Sequence, residues 1–485
     1  MSLKNLLSAL KAVLPAHCIL TTEEELRPYE CDGLSAYRQI PKLVLLPETI
    51  DQVQQTMRLC HQAKIPVVAR GAGTGLSGGA LPLAEGVILS LAKFNKILEV
   101  DYANRMARVE PGVRNLAISE AVAPLGLYYA PDPSSQIACT IGGNVAENSG
   151  GVHCLKYGLT VHNIAQVKVI TAEGELITVG ASGLDAPGYD LLALITGSEG
   201  MLGVIVEVTV KLMPKPDFVQ VLLAAFDEIE QAATAVGDII AQGVIPAGLE
   251  MMDNPAIRAA EDFVHAGYPT DAAAILLCEL DGGSEAELSQ QVDKVSSILH
   301  HAKAVQVRVA QNELERATFW KGRKAAFPAV GRISPDYYCM DGTIPRKQLP
   351  TVLKRISELS TEFNLAVANV FHAGDGNLHP LILYDANKPG ELERTEAFGG
   401  KILEACVAVG GTITGEHGVG VEKIDQMCVQ FQALELEYFH AIKDAFDEYR
   451  LLNPGKAVPT LHRCAELGAM HVHKGQLPFP ELERF

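Results

Sequence analysis

The amino-acid sequence predicts an α+β protein with two domains, and three observations support this fold class. Segments with apolar residues at helical spacing alternate with short apolar runs typical of strands through the first third of the 485 residues. A Pro-x-Pro break at 214–216 follows an apolar strand and indicates a domain boundary. Beyond it, longer helices are separated by single strands. We therefore predict domains at 1–215 and 216–425, followed by a C-terminal helical segment at 426–485.

The elements of the first domain are predicted from apolar periodicity. Ile50, Val53, Met57 and Cys60 recur at helical spacing, which predicts a helix over 48–63. The other predicted elements are a helix at 113–125, strands at 65–69, 86–91, 97–101 and 106–110, a hairpin of strands 164–171 and 175–179, and a loop-rich stretch, dense in Gly, Asn and Ser, at 131–163.

The second domain and the C-terminal segment are predicted from longer periodic runs. The last segment reads as helical from 426 to Leu452, before the Asn-Pro-Gly-Lys sequence at 453–456. The elements predicted between the Pro-x-Pro break and this segment are helices at 227–242, 285–302 and 347–363 and strands at 272–280 and 304–310.

Composition excludes several classes of protein. The formal net charge of −18 argues against nucleic-acid binding, which needs clustered Lys and Arg, and against direct adsorption to an anionic membrane. None of the ten cysteines forms a C-x-x-C pair, so no iron–sulfur cluster is indicated. The N-terminus lacks the apolar core of a signal peptide, and no run of about 18 apolar residues predicts a membrane span. We expect a cytoplasmic protein, and leave open a peripheral position at the inner membrane through a partner.

The loop RGAGTGLSGG at 70–79 has the glycine spacing of a dinucleotide fingerprint without its structural context. A Rossmann turn needs a helix after the last glycine, but Pro82 and a strand at 86–91 leave no room for one. The alternative is a nest, in which backbone N–H groups and the Thr74 and Ser77 hydroxyls surround an anion. A glycine hairpin without a ligand also fits this loop alone.

A second stretch, PDPSSQIACTIGGNVAENSGG at 131–151, has little apolar material to bury and is suited to wrapping a large polar ligand. Together with loop 70–79 and Gly-Ser-Glu-Gly at 197–200, it resembles the FAD domain of the vanillyl-alcohol-oxidase (PCMH-type) family. Within that family, the chain resembles the branch of D-2-hydroxyacid dehydrogenases that includes the FAD-binding subunits of bacterial glycolate oxidases. The resemblance implies a two-lobed PCMH-type FAD-binding domain, an α+β substrate (cap) domain, and a C-terminal helical segment that returns to the FAD domain.

The resemblance also implies how FAD is held: extended, with its pyrophosphate on the backbone amides of a loop like 70–79. That loop contains neither His nor Cys, so we expect non-covalent FAD, with His153 or Cys154 as the alternative for a covalent link. The residues implied to bind FAD are Arg70, Gly71, Gly73, Thr74, Gly75, Ser77, Gly78, Gly79, Pro131, Asp132, Ser134, Ser135, Gly142, Gly143, Asn144, Asn148, Ser149, Gly151, Glu199, Gly203, Asn453 and Lys456.

Two motifs of the second domain, FHAGDGNLHP at 371–380 and TGEHGVG at 414–420, concentrate histidines and acids in glycine-rich turns. Two imidazoles and a carboxylate suit Zn²⁺, Mn²⁺ or Fe²⁺ with open coordination positions. Spacing alone also fits histidines that only form hydrogen bonds within turns. The resemblance implies that His372, His379 and Glu416 bind a divalent metal, for which we expect Zn²⁺ or Mn²⁺.

The same resemblance assigns a base and a carboxylate-binding residue. His417, with an ordinary pKa of about 6.5, is the expected general base, and a hydrogen-bonded turn histidine is the alternative. An Arg–Lys pair on a helix ordinarily lies on its solvent-exposed face. The resemblance instead implies that Arg323 corresponds to an arginine that binds the substrate carboxylate in the family. Relatives that oxidise hydroxyglutarate carry a lysine near the position of Cys339, so its absence here points to a smaller monocarboxylate.

The predicted reaction is oxidation of a short D-2-hydroxyacid, glycolate or D-lactate, to the 2-oxoacid. The resemblance implies metal-assisted hydride transfer to flavin N5, and a carbanion route remains open. Electrons would leave to iron–sulfur and second flavin-type partner subunits or to a quinone. The alternatives are a D-2-hydroxyglutarate-type dehydrogenase, a flavin oxidase that uses O₂, and a nucleotide-binding protein without redox chemistry. The sequence leaves self-association into a homo-oligomer open.

Overall fold

The computed structural model describes residues 3–183 and 187–460 and confirms the α+β class. The part of the predicted segment 426–485 that follows residue 460 lies outside the described residues. No helix in the described part of the chain is long and apolar enough to cross a membrane. The domain boundaries given above stay a prediction.

The first sheet carries the glycine loop between two parallel strands. It has four strands in the order β1-β2-β4-β3, with β1 (Ile19–Leu20), β2 (Leu43–Leu45), β3 (Val67–Arg70) and β4 (Val87–Ser90). Helices α1 (Leu3–Val13) and α3 (Ile50–Ala63) pack on it and share its buried apolar core, and the short α2 (Glu23–Leu26) lies between them in sequence. Residues 71–86 form neither helix nor strand, as expected for a loop that is not a Rossmann turn.

The second sheet has five antiparallel strands in the order β5-β6-β10-β8-β9. The predicted hairpin is confirmed as β8 and β9. The elements of this part are β5 (Ile97–Asp101), β6 (Met106–Val109), α4 (Asn115–Val122), β7 (Leu127–Tyr128), α5 (Ile141–Glu147), α6 (Cys154–Tyr157), α7 (Thr160–Asn163), β8 (Ile164–Ile170), β9 (Leu176–Gly180), α8 (Leu191–Ile195), β10 (Val204–Lys211) and β11 (Met213–Pro214).

The stretch at 131–163, predicted to be rich in loops, also contains three short helices, α5, α6 and α7, that were not predicted. Two of the glycines, Gly142 and Gly143, belong to α5. Periodicity misses such a helix because it is fixed by close tertiary packing: a Cβ on Gly142 would lie 2.6 Å from the Cβ of Pro111. Glycine therefore allows the backbone of α5 to approach the loop before α4.

The third sheet has seven antiparallel strands in the order β15-β12-β14-β13-β18-β20-β16, with apolar cores on both faces. Its elements and flanking pieces are β12 (Phe218–Phe226), α9 (Ile229–Ala241), β13 (Gly248–Asp253), α10 (Asn254–Val264), β14 (Ala274–Gly282), α11 (Glu285–His301), β15 (Gln306–Val309), α12 (Glu313–Val330), β16 (Asp336–Cys339), β17 (Gly342–Thr343), α13 (Leu349–Phe363), β18 (Val367–Phe371), β19 (Asn377–Leu378), β20 (Pro380–Tyr384) and α14 (Glu391–Ala408).

The last described segment returns to the first sheet. Helices α15 (Ile424–Gln430) and α16 (Ala433–Phe446) precede it, and α16 ends six residues before the predicted limit at Leu452. The helix ends because the Asp447 carboxylate accepts the N–H groups of Leu451 and Leu452, at 3.0 and 2.7 Å, and turns the chain. Leu452 then lies beside Val67 in a parallel bridge at the start of β3.

Candidate active site

One cavity of about 400 Å³ joins the glycine loops to the histidine motifs. Its walls come from loop 71–80, from α5 and from the start of β10 on one side. On the other side they come from α12 and from the two histidine motifs. The residues predicted for FAD and for the metal thus border a common space.

Most of the predicted FAD residues line this cavity. Those that do are Arg70, Gly71, Gly73, Thr74, Gly75, Gly79, Ser134, Ser135, Gly142, Gly143, Asn144, Ser149, Glu199 and Gly203. Others that line it were missed by sequence reasoning, among them Pro111, Cys139, Thr140, Glu147 and Ile205.

The remaining predicted FAD residues do not line this cavity, and several of them hold its loops in place. Asn453 Nδ2 and Lys456 Nζ both donate to the Gly79 carbonyl oxygen, each at 2.9 Å. The Ser77 hydroxyl donates to the His417 carbonyl oxygen at 2.8 Å, which ties the glycine loop to the second histidine motif. The other members of this group, each packed or hydrogen-bonded within the fold, are Gly78, Pro131, Asp132, Asn148 and Gly151.

The glycine-loop side of the cavity fits a polar cofactor such as FAD. Thr140 Oγ1, Asn144 Nδ2 and Glu147 Oε2 are buried without a hydrogen-bond partner in the described residues, and all three residues line the cavity. An unsatisfied buried polar group costs about 1–3 kcal/mol, which a polar ligand would offset. Burial and the nearby Glu199 carboxylate raise the pKa of Glu147 well above its ordinary value, so a protonated Glu147 can donate a hydrogen bond to such a ligand.

The three predicted metal ligands converge at the other end of the cavity. His372 and His379 flank a tight turn that closes between His372 and Asn377, and their ring centres lie 5.0 Å apart. Their Nε2 atoms lie 3.2 and 3.1 Å from the same carboxylate oxygen, Glu416 Oε1. The three ligand atoms lie within 4.8 Å of one another. This donor set suits a divalent metal with open coordination positions.

The second nitrogen of each imidazole is held by a buried acceptor, as is usual for metal-binding histidines. His372 Nδ1 lies 2.8 Å from Glu250 Oε1, and His379 Nδ1 lies 3.3 Å from the Met340 carbonyl oxygen. Burial lowers the pKa of His372, but Glu250 and Glu416 raise it well above its ordinary value. A metal ion would therefore displace a proton from this site.

A second group of potential ligand atoms, from Cys339, His379 and His417, lies beside the first. Burial raises the pKa of the Cys339 thiol well above its ordinary value. Because the thiolate is the form that binds metals, this environment disfavours Cys339 as a ligand. Cys339 lies behind His379, with Sγ 3.9 Å from His379 Nδ1, and it does not line the cavity.

The loop that carries Glu416 and His417 is organised by one buried carboxylate, Asp341. Its oxygens accept the backbone N–H groups of Gly415 and His417, each at 3.0 Å, and the Lys423 ammonium at 2.9 Å. Burial would raise the pKa of Asp341, but Lys423 and the neighbouring histidines hold it well below its ordinary value. A fixed anion thus sets the backbone from which Glu416 and His417 project.

His417 combines access to the cavity with a free acceptor atom. Its ring stacks on His379 with centres 4.8 Å apart, and Nδ1 is buried without a partner in the described residues. Burial lowers the pKa of His417 to about 4, below the value of about 6.5 used for the sequence prediction. The imidazole is therefore neutral at pH 7, the form that accepts a proton, and its lowered pKa makes it a weaker base than an ordinary histidine.

Arg323, predicted to bind the substrate carboxylate, is not among the residues that line the cavity, and its Nε and Nη2 atoms are buried without a hydrogen-bond partner in the described residues. It is 2% exposed, and its Nη2 lies 2.5 Å from Glu250 Oε2, on the carboxylate that also holds His372. The next residue of α12, Lys324, lines the cavity instead, together with Phe327 and Pro328. Sequence reasoning missed both Glu250 and Asp341, although each is an acid within an apolar run, GLEMM or YYCMD.

His153, one of the two alternatives for a covalent flavin link, bridges two carboxylates outside this cavity. Its Nδ1 lies 2.9 Å from Asp132 Oδ2 and its Nε2 lies 3.1 Å from Glu279 Oε1 on β14. Trp320 Nε1 donates to the other oxygen of Glu279 at 2.5 Å. Burial lowers the pKa of His153, but Asp132 and Glu279 raise it well above its ordinary value.

This bridge predicts a pH-dependent contribution to stability. Because the folded-state pKa of His153 is raised, its contribution is complete below the unfolded-state value of about 6.5 and is lost as the pH rises through the folded-state pKa. We expect His153→Gln to lower the free energy of unfolding by about 1.5–3 kcal/mol at pH 6 and by less at high pH. Urea unfolding of both proteins at several pH values measures this difference. A constant difference between them across pH would contradict the assignment.

Comparison with known proteins agrees with this geometry. Residues 41–180 match the FAD binding domain model, and residues 215–457 match the model of the C-terminal domain of FAD linked oxidases. The chain is 66% identical to the glycolate oxidase subunit GlcD of Escherichia coli (strain K12), over 99% of this chain and 96% of that protein. It is 32% identical to a D-lactate dehydrogenase of Anaerostipes hadrus, over 90% of this chain and 94% of that protein.

Among solved structures, p-cresol methylhydroxylase with substrate bound superposes with a TM-score of 0.76 at 17% identity, over 95% of this chain and 97% of that one. At this identity the likeness shows the fold alone. The expected PCMH-type fold is thereby confirmed, and the sequence matches cover both halves of the chain. The chain belongs to the FAD-linked oxidase family and is an FAD-dependent oxidoreductase.

Proposed function

We propose that this enzyme oxidises a short D-2-hydroxyacid, glycolate or D-lactate, to the corresponding 2-oxoacid. The observation that carries the proposal is that His417, the cluster of His372, His379 and Glu416, and the glycine-loop cradle all border one cavity. A base, a site for a divalent cation and a site for a redox cofactor are what dehydrogenation of an alcohol requires. Relatives named as a glycolate oxidase subunit and a D-lactate dehydrogenase support this substrate class.

FAD, when bound, would supply the two-electron acceptor for the hydride that leaves the α-carbon of the substrate. We propose that it is held without a covalent bond, because neither His153 nor Cys154 lines the cavity. Cys139 does line it, but burial raises the pKa of its thiol and so disfavours the nucleophilic thiolate. FAD should then stay in the supernatant when the holoprotein is precipitated with acid.

His372, His379 and Glu416 would hold a divalent metal, Zn²⁺ or Mn²⁺, which would supply a Lewis acid for the substrate hydroxyl. The neutral imidazole of His417 takes the hydroxyl proton, and the C–H electron pair leaves as the C=O bond forms.

The proposed substrates are short because the cavity offers few cations for a second carboxylate. The family resemblance implies a lysine near the position of Cys339 in relatives that oxidise hydroxyglutarate, and this chain has no lysine there. A D-2-hydroxyglutarate-type substrate would then lack that lysine as a partner for its distal carboxylate.

The electrons must leave the reduced flavin, and we propose that iron–sulfur and second flavin-type partner subunits, or a quinone, receive them. The Escherichia coli relative is named as a subunit, which supports a multi-subunit enzyme. Such a partner would also account for a position at the inner membrane surface.

Anaerobic flavin bleaching tests the function without any partner. We expect glycolate or D-lactate to bleach the flavin with kcat/KM at least about tenfold above that for D-2-hydroxyglutarate, since one unpaired buried carboxylate costs more than 1.4 kcal/mol. L-lactate is the matched control for stereochemistry. Preference for L-lactate or for hydroxyglutarate would overturn the substrate assignment, and stoichiometric peroxide in air without an added acceptor would favour the oxidase.

A further inference from the structure

The loop at 414–420, which carries a predicted metal ligand and the expected base, is held from both sides of the cavity. On the side of the seven-stranded sheet, Asp341 accepts backbone N–H groups from the first half of the loop. On the side of the glycine loop, the carboxylate of Glu199 accepts two from the second half. Its Oε1 accepts the Val419 N–H and its Oε2 accepts the Gly420 N–H, each at 2.7 Å. Two buried carboxylates, one from each side, therefore fix a single loop.

Glu199 is held in an unusual backbone conformation. It lies between α8 and β10 with a φ of +51°, a left-handed conformation that residues other than glycine rarely adopt. Its N–H donates to the Ala146 carbonyl oxygen at 2.8 Å, and its own carbonyl oxygen accepts Asn453 Nδ2 at 2.7 Å. Such a strained conformation persists only where the surrounding contacts fix it, and it is often found where the residue has a function. Here it directs the carboxylate at the loop 414–420.

Two further contacts join the metal-ligand loop to the glycine-loop side of the cavity. The Gly150 N–H, from the segment after α5, donates to Glu416 Oε2 at 3.0 Å, while the other oxygen of that carboxylate faces the two histidines. The Ser77 carbonyl oxygen accepts the N–H groups of Val421 and Glu422, at 3.0 and 3.1 Å. A predicted metal ligand is thus oriented by the segments that also form the predicted FAD cradle.

The two loops approach too closely for a side chain at position 420. A Cβ on Gly420 would lie 2.1 Å from the Ser77 carbonyl oxygen, and its φ of +53° also favours glycine. Contacts between backbone groups transmit a displacement of one loop to the other, because no side-chain rotamer can absorb it. The position of the cradle therefore affects the position of Glu416.

The other face of these segments is where FAD would be held. Glu199, the glycine loop and Ser149, which precedes Gly150, all line the cavity. A cofactor that contacts these residues restricts their motion, so less freedom is left to lose when a metal fixes Glu416. By linkage, the metal must strengthen FAD binding by the same factor.

We propose that FAD and the divalent metal bind cooperatively, and that Glu199 is the positioning residue that couples the two sites. The inference rests on the proposed metal ligands. Glu199, which sequence reasoning assigned to FAD alone, also sets the affinity for the metal through the backbone of Val419 and Gly420. The expected coupling is about tenfold, small enough for FAD to stay bound in variants that lose the metal.

The first test compares Mn²⁺ binding to the FAD-loaded wild-type protein, Glu199→Gln and Glu207→Gln. The electron paramagnetic resonance signal of free Mn²⁺ reports binding independently of activity. Glu199→Gln keeps the size of the side chain but replaces one of the two N–H acceptors by an amide donor. We expect its Kd for Mn²⁺ to rise about 5- to 50-fold at the FAD content of the wild type.

Glu207→Gln is the matched control for a general loss of stability. Glu207 is also a buried acid with two partners, Arg108 and Lys168, but these lie within the five-stranded sheet. Its Kd for Mn²⁺ should equal that of the wild type. Gly150→Ala reaches the loop by a separate contact, since its Cβ would lie 2.7 Å from Glu416 Oε2, and we expect a loss of Mn²⁺ affinity of similar size to that in Glu199→Gln. This variant keeps the inference testable if Glu199→Gln does not fold.

The second test measures the coupling from the holoenzyme. The rise of flavin fluorescence after dilution gives the rate of FAD release, in excess Mn²⁺ and in a chelator. We expect Mn²⁺ to slow FAD release about tenfold in the wild type and in Glu207→Gln, and by less than about threefold in Glu199→Gln.

A Mn²⁺ Kd of Glu199→Gln within about twofold of the wild type would overturn the inference. Equal rates of FAD release from the wild type with and without Mn²⁺ would also overturn it. Wild-type protein that binds no Mn²⁺ would overturn the proposed metal site as well, whereas failure of glycolate and D-lactate to bleach the wild-type flavin would overturn the proposed substrate alone.

Discussion

Replacement of His372 or His379 by alanine is expected to remove the bound divalent metal and to abolish flavin reduction while FAD stays bound. Both imidazoles direct Nε2 at Glu416 Oε1, so each variant removes one of three convergent ligand atoms. Loss even of a residue that only supports a ligand typically costs 10- to 100-fold in metal affinity, and loss of a ligand itself costs more. We therefore expect metal content below about a tenth of the wild-type value after dialysis.

FAD should be retained in these variants because its cradle is built from other elements. The glycine loop is held by Asn453 and Lys456, which both donate to the Gly79 carbonyl oxygen. Metal analysis and flavin absorbance of the same dialysed sample separate the two sites. Glu250→Gln is the informative control, since it keeps all three ligand atoms but weakens the support of His372 and should give an intermediate metal content. Unchanged metal in both alanine variants would leave these histidines as hydrogen-bonded turn residues.

Short-range patterns were enough to predict the local parts of this site. The tight turn between His372 and His379 was predicted from its glycines, and it closes as expected between His372 and Asn377. The glycine loop at 70–79 could be separated from a Rossmann turn because Pro82 excludes a helix, and residues 71–86 contain none. In both cases the decisive residues lie within about ten positions of one another, where backbone sterics dominate.

Long-range supports could not be predicted from spacing. Glu250 reaches His372 across 122 residues, and Asp341 reaches the backbone of His417 across 76. The signal in the sequence was indirect, since an acid within a buried apolar strand needs a partner. The partner itself depends on strand order, which places β13 next to β18.

Neighbouring residues on one helix were the hardest to distinguish. The Arg–Lys pair at 323–324 was assigned by alignment to Arg323, whereas Lys324 lines the cavity. Which of two adjacent cations faces a site depends on the rotation of α12 against the sheet. That rotation is fixed by packing of Phe319 and Ala326 into the core, which periodicity alone does not resolve.

Replacement of His417 by alanine is expected to keep both metal and FAD and to slow flavin reduction by about 10²- to 10⁴-fold, the usual effect of removing a general base. The loop should survive the change because its backbone is held independently of the imidazole. Asp341 accepts the His417 N–H at 3.0 Å, and the Ser77 hydroxyl donates to the His417 carbonyl oxygen at 2.8 Å. Glu416 therefore stays in place to bind the metal.

Stopped-flow bleaching by glycolate, beside metal and flavin analysis, measures this effect. Added imidazole should restore part of the rate in His417→Ala and leave the wild-type rate unchanged, because a diffusible base can occupy the space left by the side chain. A His417→Ala rate within about threefold of wild type would exclude His417 as the base. Rescue by imidazole is the decisive observation. If His417 only stacked on His379, its removal would leave a packing defect, and filling that defect would not depend on whether the added molecule can accept a proton.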